Sequence, residues 1–398
     1  MPTRVAVTGA GIVSALGAGR EATLTALRER RTGIAPVRYL KTSHTEFPVG
    51  EVKLSNEEME HMLRIPEPQA TTRTMLMGVA AVREALEQAC VRRGSGLRVA
   101  LISGTTVGGM DKSEQYYLDF LENDTKNAYI ATHDCGACTE MIADYFGIFS
   151  RVQTISTACS SAANAIMLGA MLVEEGRADV VVAGGSECLT KFHLNGFNTL
   201  MILDRHLCRP FDAHRAGLNL GEGAAYLVLE AEDTLGRRGV EPLCRISGYA
   251  NTCDAYHQTA SSPGGEGAYL SMAKALEVAQ LAPKDISYIN AHGTGTENND
   301  LSEGRAIQRL FCNGVPPVSS TKSFTGHATS AAGGVEAVIS MLALQHSFIP
   351  ANLNFATPMP ELSFTPDAGS DRPAPLRHVL SNSFGFGGND TSLIFSKV

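Results

Sequence analysis

Long apolar segments are missing from this chain. None of its 398 residues falls in a run that approaches the roughly 20 apolar residues needed for a membrane-spanning helix. The opening residues, Met-Pro-Thr-Arg-Val-Ala-Val, also lack the long apolar run of a secretory signal peptide. We therefore expect a cytoplasmic protein without a membrane span.

Clusters of positive charge are missing as well. The 33 Lys and Arg residues are outnumbered by 41 Asp and Glu residues, which gives a net charge of −8 and a pI near 5.8. No dense Lys/Arg tract interrupts this acidic background. Because nucleic-acid-binding domains carry a clustered basic surface, this composition argues against nucleic acid as the main partner.

Cysteines at a spacing that suits a metal site are scarce. The nine cysteines are odd in number and scattered, which suits a reducing compartment rather than a disulfide framework. Cys135 and Cys138 form a CxxC pair, but a zinc site needs a second pair at suitable spacing, and none follows. We interpret both as core cysteines at the start of a helix.

A nucleotide-binding fingerprint is present only in part. Gly9-Ala-Gly11-Ile-Val-Ser14 follows a predicted strand at residues 4–7, but Ser14 stands where the third glycine belongs. No convincing acidic residue closes a βαβ unit about 20 residues later. We interpret the stretch as a structural strand–turn–helix connection rather than a dinucleotide site.

The chain does contain a strand that ends at a cysteine. Residues 152–157 are rich in β-branched side chains and predict a buried strand, whereas the small residues after Cys159 predict a helix. A cysteine at this changeover lies near unpaired backbone N–H groups and the positive end of the helix dipole. Both favour the thiolate, so the sequence predicts a nucleophile with a pKa below the roughly 8.5 of a free thiol.

The second half of the chain repeats the first in outline. A charged turn near residue 239 divides the chain into halves of residues 1–239 and 240–398. A Ser-Ala-Ala run follows both Cys159 and His327, and superposing the two runs places these residues within one position of each other. The pattern predicts a duplicated fold with Cys159 and His327 at equivalent strand-to-helix corners.

Two histidines are candidates to meet Cys159 in space. His292 and His327 each follow a predicted strand and lie beside glycines, which would let a substrate approach closely. A cysteine with a histidine indicates nucleophilic catalysis, and a second histidine would donate N–H bonds to an oxygen on which charge develops. Lys322 and Glu336, on either side of His327 in the sequence, are candidate partners.

Four motifs carry a resemblance to a known family. In chain order they are Thr157-Ala-Cys159-Ser-Ser, Asn290-Ala-His292-Gly-Thr-Gly-Thr296, Lys322-Ser-Phe-Thr-Gly-His327 and Asn382-Ser-Phe-Gly-Phe386-Gly-Gly. Over nearly its whole length the chain resembles the β-ketoacyl-acyl carrier protein synthases, the decarboxylating condensing enzymes of fatty acid synthesis with a Cys-His-His site. Thiolases share the fold, but their pattern has a second catalytic cysteine where this chain has a histidine motif.

The resemblance implies an α/β fold of the thiolase type, in which two βαβαβαββ halves form a five-layered α-β-α-β-α sandwich. It also implies a homodimer in which the strand before Cys159 pairs across the two-fold axis. Cys159 would accept an acyl group from an acyl carrier protein thioester, and the N–H groups of Cys159 and Phe386 would form an oxyanion hole. Neither a metal nor an organic cofactor is required.

The resemblance further implies roles around that nucleophile. His292 and His327 would hold the malonyl thioester carbonyl while CO₂ leaves, and Lys322 and Glu336 would organise the His327 side. Phe386 would be the gate residue that moves when the acyl chain is loaded. The other implied positions are two acids behind the His292 motif and three threonines on the phosphopantetheine arm: Asp300, Glu303, Thr259, Thr294 and Thr296.

Several positions depart from the family pattern. Ala260 replaces a usual Ser, the glycine turn ends in Asn389-Asp390 instead of Thr-Asn, and the run 57–60 is acidic where family members show basic residues for the carrier. Residues 132–138 are more polar than the acyl pocket of long-chain enzymes, so we hypothesise that short, unsaturated or polyene acyl groups bind at least as well as long saturated ones. The competing interpretation is that this segment packs at a dimer interface. A ketosynthase of an aryl polyene or polyketide pathway is the main alternative, followed by a thiolase and a non-catalytic chain-length subunit.

Overall fold

The computed structural model describes residues 4–66, 69–369 and 373–398 of the chain. Its strands are β1 (Val5–Ser14), β2 (Gly17–Ala18), β3 (Val99–Gly104), β4 (Phe149–Ile155), β5 (Val180–Glu187), β6 (Gly223–Ala231), β7 (Cys244–Cys253), β8 (Tyr288–Asn290), β9 (Val318–Ser319), β10 (His378–Gly385) and β11 (Asn389–Ser396). Its α-helices are α1 (Arg20–Arg28), α2 (Asn56–Leu63), α3 (Arg73–Gln88), α4 (Met110–Glu122), α5 (Cys135–Phe146), α6 (Ser161–Glu174), α7 (Lys191–Thr199), α8 (Leu235–Arg238), α9 (Glu266–Ala279), α10 (Glu297–Leu310), α11 (Lys322–Thr325) and α12 (Ala332–His346). Within these ranges, no helix has the length and apolar character needed to cross a membrane.

The strands form one continuous sheet whose two halves have the same order. The order is β4-β3-β5-β6-β1-β7-β11-β10-β8-β9, with β2 paired to β1 alone. When the strands on this path are numbered within each half, both halves run 3-2-4-5-1 from the outer edge to the centre. Antiparallel pairing of β1 with β7, as at Val5 and Ile246, joins the halves. The repeated order confirms the duplicated α/β fold predicted from the sequence.

The helices complete the layers of the sandwich. α6 and α12 pack against each other between the two halves of the sheet, where α12 contacts β6 on one side and β10 on the other. Residues 332–344 of α12 are all buried, as expected of a helix that is apolar on every side. α3 and α5 cover the outer face of the first half, and α9, with α10 beside it, covers that of the second.

The first strand is longer than the sequence predicted. β1 continues through Gly9 and Gly11 to Ser14, whereas the sequence favoured a turn and helix after residue 7. A Cβ added at Gly9 would lie 2.2 Å from the carbonyl oxygen of Ala85, and one at Gly11 would lie 1.9 Å from that of Ala81. The two glycines therefore let α3 approach the backbone of β1 and do not form a phosphate-binding turn.

The strand before the nucleophile lies at an edge of the sheet. β4 pairs in parallel with β3 and has no neighbour on its other side among the described residues. Val152 on this strand is 36% exposed. The helix α4, which packs on the turn before α5, exposes Tyr117, Leu118 and Leu121 by 63% to 70%. The expectation of a buried strand before Cys159 is therefore wrong, since β4 is partly exposed along its length. An edge strand beside exposed apolar side chains is a surface that favours pairing with another chain.

Asp390, which departs from the family pattern, is a buried acid. It lies on β11 opposite Phe384 of β10 and Thr252 of β7, and only 4% of its surface is exposed. Burial raises the pKa of its carboxyl to about 8, and the carboxyls of Asp254 and Glu303 raise it further. Asp390 is therefore neutral at neutral pH in the folded protein.

Replacing Asp390 with Asn should increase the free energy of unfolding, and the gain should grow as the pH rises from about 4 to about 8. The folded-state pKa of about 8 lies above the unfolded value of about 3.9, so the native protein loses stability through this window as pH rises. Denaturant unfolding of both proteins at about pH 5, 7 and 9 measures the difference, with Asp144→Asn at an exposed position as the control. A gain that is equal at all three pH values would contradict this prediction.

Candidate active site

The turn that carries Cys159 is fixed by local hydrogen bonds. β4 ends at Ile155 and α6 begins at Ser161, so Cys159 lies in the strand-to-helix connection that the sequence predicted. Ala158 has a left-handed φ of 51°, which bends the chain immediately before the nucleophile. The Ser161 hydroxyl closes the turn, because it accepts from the Thr157 N–H at 2.8 Å and donates to the Ala158 carbonyl at 2.6 Å. The backbone thus fixes where the thiol side chain begins.

Burial dominates the electrostatics of this thiol. Cys159 is 5% exposed, and burial raises its pKa to about 11, although the Lys322 ammonium and the Phe386 N–H lower it. The sequence-based expectation of a depressed pKa is therefore wrong. The positive groups lower the pKa of the thiol, as expected, but exclusion of water from the thiolate raises this pKa by a larger amount. The resting nucleophile is a protonated thiol.

His292 follows β8 and its backbone is held by a buried carboxylate. Glu303 on α10 accepts the N–H of His292 at 2.9 Å and that of Gly293 at 2.8 Å. The Asn382 side chain donates to the same carboxylate at 3.0 Å. Asp300, one turn earlier on α10, accepts another backbone N–H of this loop at 3.1 Å. The two acids that the sequence placed behind the His292 motif therefore shape the loop that presents the imidazole.

Lys322 and Glu336 form a buried ion pair beside His292. The Lys322 Nζ donates to the His292 carbonyl at 2.6 Å, lies 3.2 Å from His292 Nδ1 and contacts the Glu336 carboxylate. Burial raises the pKa of Glu336 to about 7, although the adjacent ammonium lowers it. The expectation that this pair organises the His327 side is wrong, since the hydrogen bonds of Lys322 lead to His292 instead.

His327 faces His292 from a second strand-to-helix corner. Its backbone N–H donates to the Asn219 carbonyl at 2.7 Å, and its carbonyl accepts from the Gly221 N–H at 2.9 Å. The two imidazole rings meet edge to face, with centroids 5.2 Å apart. Burial lowers the pKa of both histidines well below its ordinary value, and the Lys322 ammonium lowers it further. Both rings are neutral, so each has one N–H to donate and one nitrogen that can accept a proton.

The glycine-rich turn after β10 covers the thiol. The backbone N–H of Phe386 helps to lower the pKa of the Cys159 thiol, and the Phe386 ring stacks on Phe197 with centroids 5.7 Å apart. Asn389 ties this turn to α6, because its side-chain oxygen accepts from the Asn164 amide at 2.8 Å. The Asn-Asp departure from the family pattern therefore connects the turn to the helix that follows the nucleophile.

One cavity of about 380 Å³ brings the candidate residues together. Cys159, His292 and His327 all line it, as does Phe386. The three threonines expected on the phosphopantetheine arm line it too: Thr259, Thr294 and Thr296. Residues 132–138 are not among the described residues that line this cavity, so its shape gives no support to the acyl-chain hypothesis built on their polarity.

His193, which from the sequence is an ordinary core or surface histidine, lies beside a buried carboxylate. Its Nε2 is 3.9 Å from Oε1 of Glu187, and its ring packs against Phe197 with centroids 6.2 Å apart. Glu187 also accepts from the Thr105 hydroxyl at 2.6 Å and from the Thr106 N–H at 2.9 Å. The sequence feature that points to this contact is Glu187 at the end of the central strand β5, because a carboxylate buried there needs partners.

The CxxC pair takes no part in this cavity. Cys135 and Cys138 lie at the start of α5, as the sequence predicted, and Asp134 caps its first turn. Cys138 is buried, but Cys135 is only half-buried and is not a core residue. The sulfur of Cys138 is 3.3 Å from the hydroxyl of Thr72. Across the part of the chain that the structure describes, no group of three or more His, Cys, Asp or Glu residues could hold a metal ion.

Comparison with known proteins identifies similar chains along the full length. Models of the beta-ketoacyl synthase N-terminal and C-terminal domains match residues 2–234 and 243–356. A 3-oxoacyl-[acyl-carrier-protein] synthase 2 of Staphylococcus aureus (strain COL) is 32% identical over 410 residues, covering 99% of this chain and 98% of the relative.

Solved structures also match over the full length of the chain. The ishigamide ketosynthase/chain length factor has a TM-score of 0.92 at 28% identity, with 100% of both chains covered. A type II PKS acyl-carrier protein in complex with its ketosynthase bound to the hexaketide has a TM-score of 0.88 at 25% identity, again with 100% of both chains covered. The duplicated fold is therefore similar to that of ketosynthases.

Alkylation of Cys159 by iodoacetamide should accelerate about tenfold per pH unit between about pH 7 and pH 10. The reason is that only the thiolate reacts, and the pKa of about 11 keeps the thiolate fraction small and rising throughout this range. Near pH 7 the exposed cysteines Cys90, Cys253 and Cys312 should therefore react before Cys159 does. Peptide mass spectrometry of timed reactions measures each site separately. A Cys159 rate that levels off near pH 8 would contradict the buried, protonated thiol.

Proposed function

The chain belongs to the β-ketoacyl synthase family, a family of acyltransferases, and on that basis we propose that Cys159 is the nucleophile of a 3-oxoacyl-[acyl-carrier-protein] synthase in fatty acid biosynthesis. The enzyme condenses an acyl group with a malonyl group carried by acyl carrier protein and releases CO₂. The observation that carries this assignment is the single cavity shared by Cys159, His292 and His327. No metal or organic cofactor enters the proposed chemistry.

The first half-reaction moves the acyl group onto Cys159. The thiol loses its proton to a neutral imidazole in the cavity, and the sulfur attacks the thioester carbonyl of the acyl carrier. The N–H groups of Cys159 and Phe386 receive the oxyanion that forms. When the carbonyl double bond re-forms, the bond to the phosphopantetheine sulfur breaks. That sulfur leaves with the proton that the imidazole had accepted.

The second half-reaction makes the carbon nucleophile. Malonyl thioester binds with its carbonyl oxygen facing the N–H groups of His292 and His327. Its carboxylate carbon leaves as CO₂, and the electron pair of the broken bond becomes an enolate. Two neutral imidazoles suit this task, because each donates a hydrogen bond to the developing oxyanion and neither must first release a proton.

Condensation then regenerates the thiol. The enolate carbon attacks the carbonyl of acyl-Cys159, the carbon–sulfur bond breaks, and the product remains on the carrier as a 3-oxoacyl thioester. The thiolate left at Cys159 takes up one proton, which restores the resting state. The hydroxyls of Thr259, Thr294 and Thr296 contact the phosphopantetheine arm along the cavity during both half-reactions.

Other assignments are less well supported. A ketosynthase of an aryl polyene or polyketide pathway would use the same residues and is the main alternative. A thiolase would need a second catalytic cysteine, where this chain has a histidine motif. A chain-length subunit that lacks catalysis would not need a nucleophile at position 159.

We also propose that the enzyme is a homodimer formed through β4. The support is the unpaired edge of this strand and the exposed apolar side chains of α4 described above. Pairing of two β4 strands would give the edge backbone groups partners and would bury both apolar surfaces. Because β4 leads directly into the turn at Cys159, the dimer would also stabilise the nucleophile.

Loss of either histidine should slow decarboxylation far more than acylation of Cys159. His292→Ala and His327→Ala should each slow decarboxylation of malonyl carrier about 10²- to 10³-fold, because one of two oxyanion donors is lost. Acylation of Cys159 should fall much less, since its backbone donors remain and the other imidazole can still accept the thiol proton. Release of CO₂ and mass spectrometry of the acylated protein measure the two steps independently.

Two further variants serve as controls for this experiment. Cys159→Ala should lose acylation and condensation but retain decarboxylation, whereas His206→Ala, at a side chain that is 80% exposed, should leave both steps unchanged. Normal decarboxylation by His292→Ala would contradict its proposed role. Acylation at Cys135 or Cys138 in place of Cys159 would contradict the assignment of the nucleophile.

Substituting Val152 with Lys should shift the protein from dimer to monomer. A charged side chain at the centre of the paired edge would be buried next to its own symmetry copy, which is unfavourable for both chains. Analytical ultracentrifugation at micromolar protein measures the change. Val278→Lys, at an exposed position on α9, is the control and should remain dimeric. A wild-type monomer under these conditions would refute the dimer.

A further inference from the structure

The rim of the cavity at Cys159 exposes apolar side chains to solvent. Met201 is 87% exposed and Leu200 is 42% exposed. Both line the cavity together with Phe197 and follow the end of α7. Single exposed apolar residues are common on protein surfaces, but adjacent ones at the mouth of a functional cavity indicate a contact surface.

Met201 adopts a left-handed backbone conformation at the end of α7, as Arg64 and Gln280 do at the ends of α2 and α9. Its φ of 57° lies in the left-handed region, where Gly or Asn commonly ends a helix. Its N–H donates to the Asn198 carbonyl at 2.9 Å, which closes the final turn. An apolar side chain in this conformation and in water contributes little to the packing of its own chain. Its exposure at the cavity mouth therefore favours a role in contact with another molecule.

Positive charge is lacking among the described residues that line the cavity. Among the described residues that line the cavity there is no Lys or Arg, and the one acidic side chain is that of Glu297. Arg215 lies behind this rim with its guanidinium bound to the carbonyls of Thr296 and Glu297, at 3.1 and 2.7 Å. The chain as a whole carries a net charge of −8. An acidic partner would therefore find little electrostatic attraction at this mouth.

We infer that Leu200 and Met201 form the docking contact for the acyl carrier protein, and that this contact is apolar rather than ionic. The inference rests on the proposed function, because a carrier must sit at this mouth for its phosphopantetheine arm to reach Cys159. The occupant is a carrier protein that presents an apolar side chain next to its phosphopantetheine attachment site. Methionine suits such a contact, since its flexible and polarisable side chain adapts to the partner's surface.

The test compares carrier-bound and carrier-free substrate. Met201→Gln keeps the length of the side chain and removes its apolar character. The ratio of kcat/KM for the acyl carrier thioester to kcat/KM for the same acyl group on pantetheine alone should fall about tenfold, through KM. Val278→Gln, which makes an exposed apolar residue polar on the distant helix α9, should keep the wild-type ratio.

Salt and charge provide a second, independent measurement. Because apolar contacts are not screened by ions, kcat/KM for the carrier thioester should change little between about 0.05 and about 0.5 M NaCl. Arg205→Ala, which removes an exposed cation from the loop after Met201, should likewise have little effect. An unchanged ratio in Met201→Gln, or a strong salt dependence together with a loss in Arg205→Ala, would overturn the inference in favour of ionic docking.

Two further outcomes are distinguishable from these. If Met201→Gln becomes monomeric in sedimentation, the rim belongs to a contact between protomers, and the docking inference is wrong. If the wild-type protein uses neither the carrier thioester nor the pantetheine thioester, the proposed function fails and the docking contact fails with it.

Discussion

The buried ion pair of Lys322 and Glu336 is the interaction on which the arrangement of the site depends. Its ammonium group contacts His292 directly and helps to lower the pKa of both histidines. The pair therefore holds the His292 ring in place and favours the neutral form of both imidazoles. It also joins three elements of the second half, since Lys322 follows β9, Glu336 belongs to α12 and His292 follows β8. Removal of one partner would leave an uncompensated charge in the interior, which costs far more than an exposed pair contributes.

Duplication explains how these residues meet. The nucleophile follows β4, the third strand of the first half, and His327 lies in the connection after β9, the third strand of the second half. The corners are therefore equivalent, as the repeated Ser-Ala-Ala run suggested. The central helices α6 and α12 begin at these corners and pack against each other, which draws the two corners together. A single half would supply either a thiol or imidazoles, but not both.

The features predicted correctly from the sequence are those that depend on local pattern. The change from β-branched to small residues located the turn at Cys159, whereas the two acids behind His292 came from the resemblance to a known family. Errors arose where distant parts of the chain decide the outcome. The pKa of Cys159 depends on burial by the whole sandwich, and the direction of Lys322 depends on where β8 lies. The extension of β1 through Gly9 and Gly11 depends on how closely α3 approaches, which no periodicity within residues 4–14 reveals.

The open edge of β4 has a consequence for the evolution of paired chains. Backbone donors and acceptors along a strand edge are the same whatever the side chains, so hydrogen bonding alone cannot distinguish an identical copy from a diverged relative of the same fold. Discrimination must come from side chains such as Val152 and the apolar residues of α4. If two copies pair through β4 as proposed, substitutions at these positions after a gene duplication would convert self-recognition into recognition of the sister chain. The strand, the turn and the nucleophile could remain unaltered while the second copy became free to lose its own chemistry and take on another task.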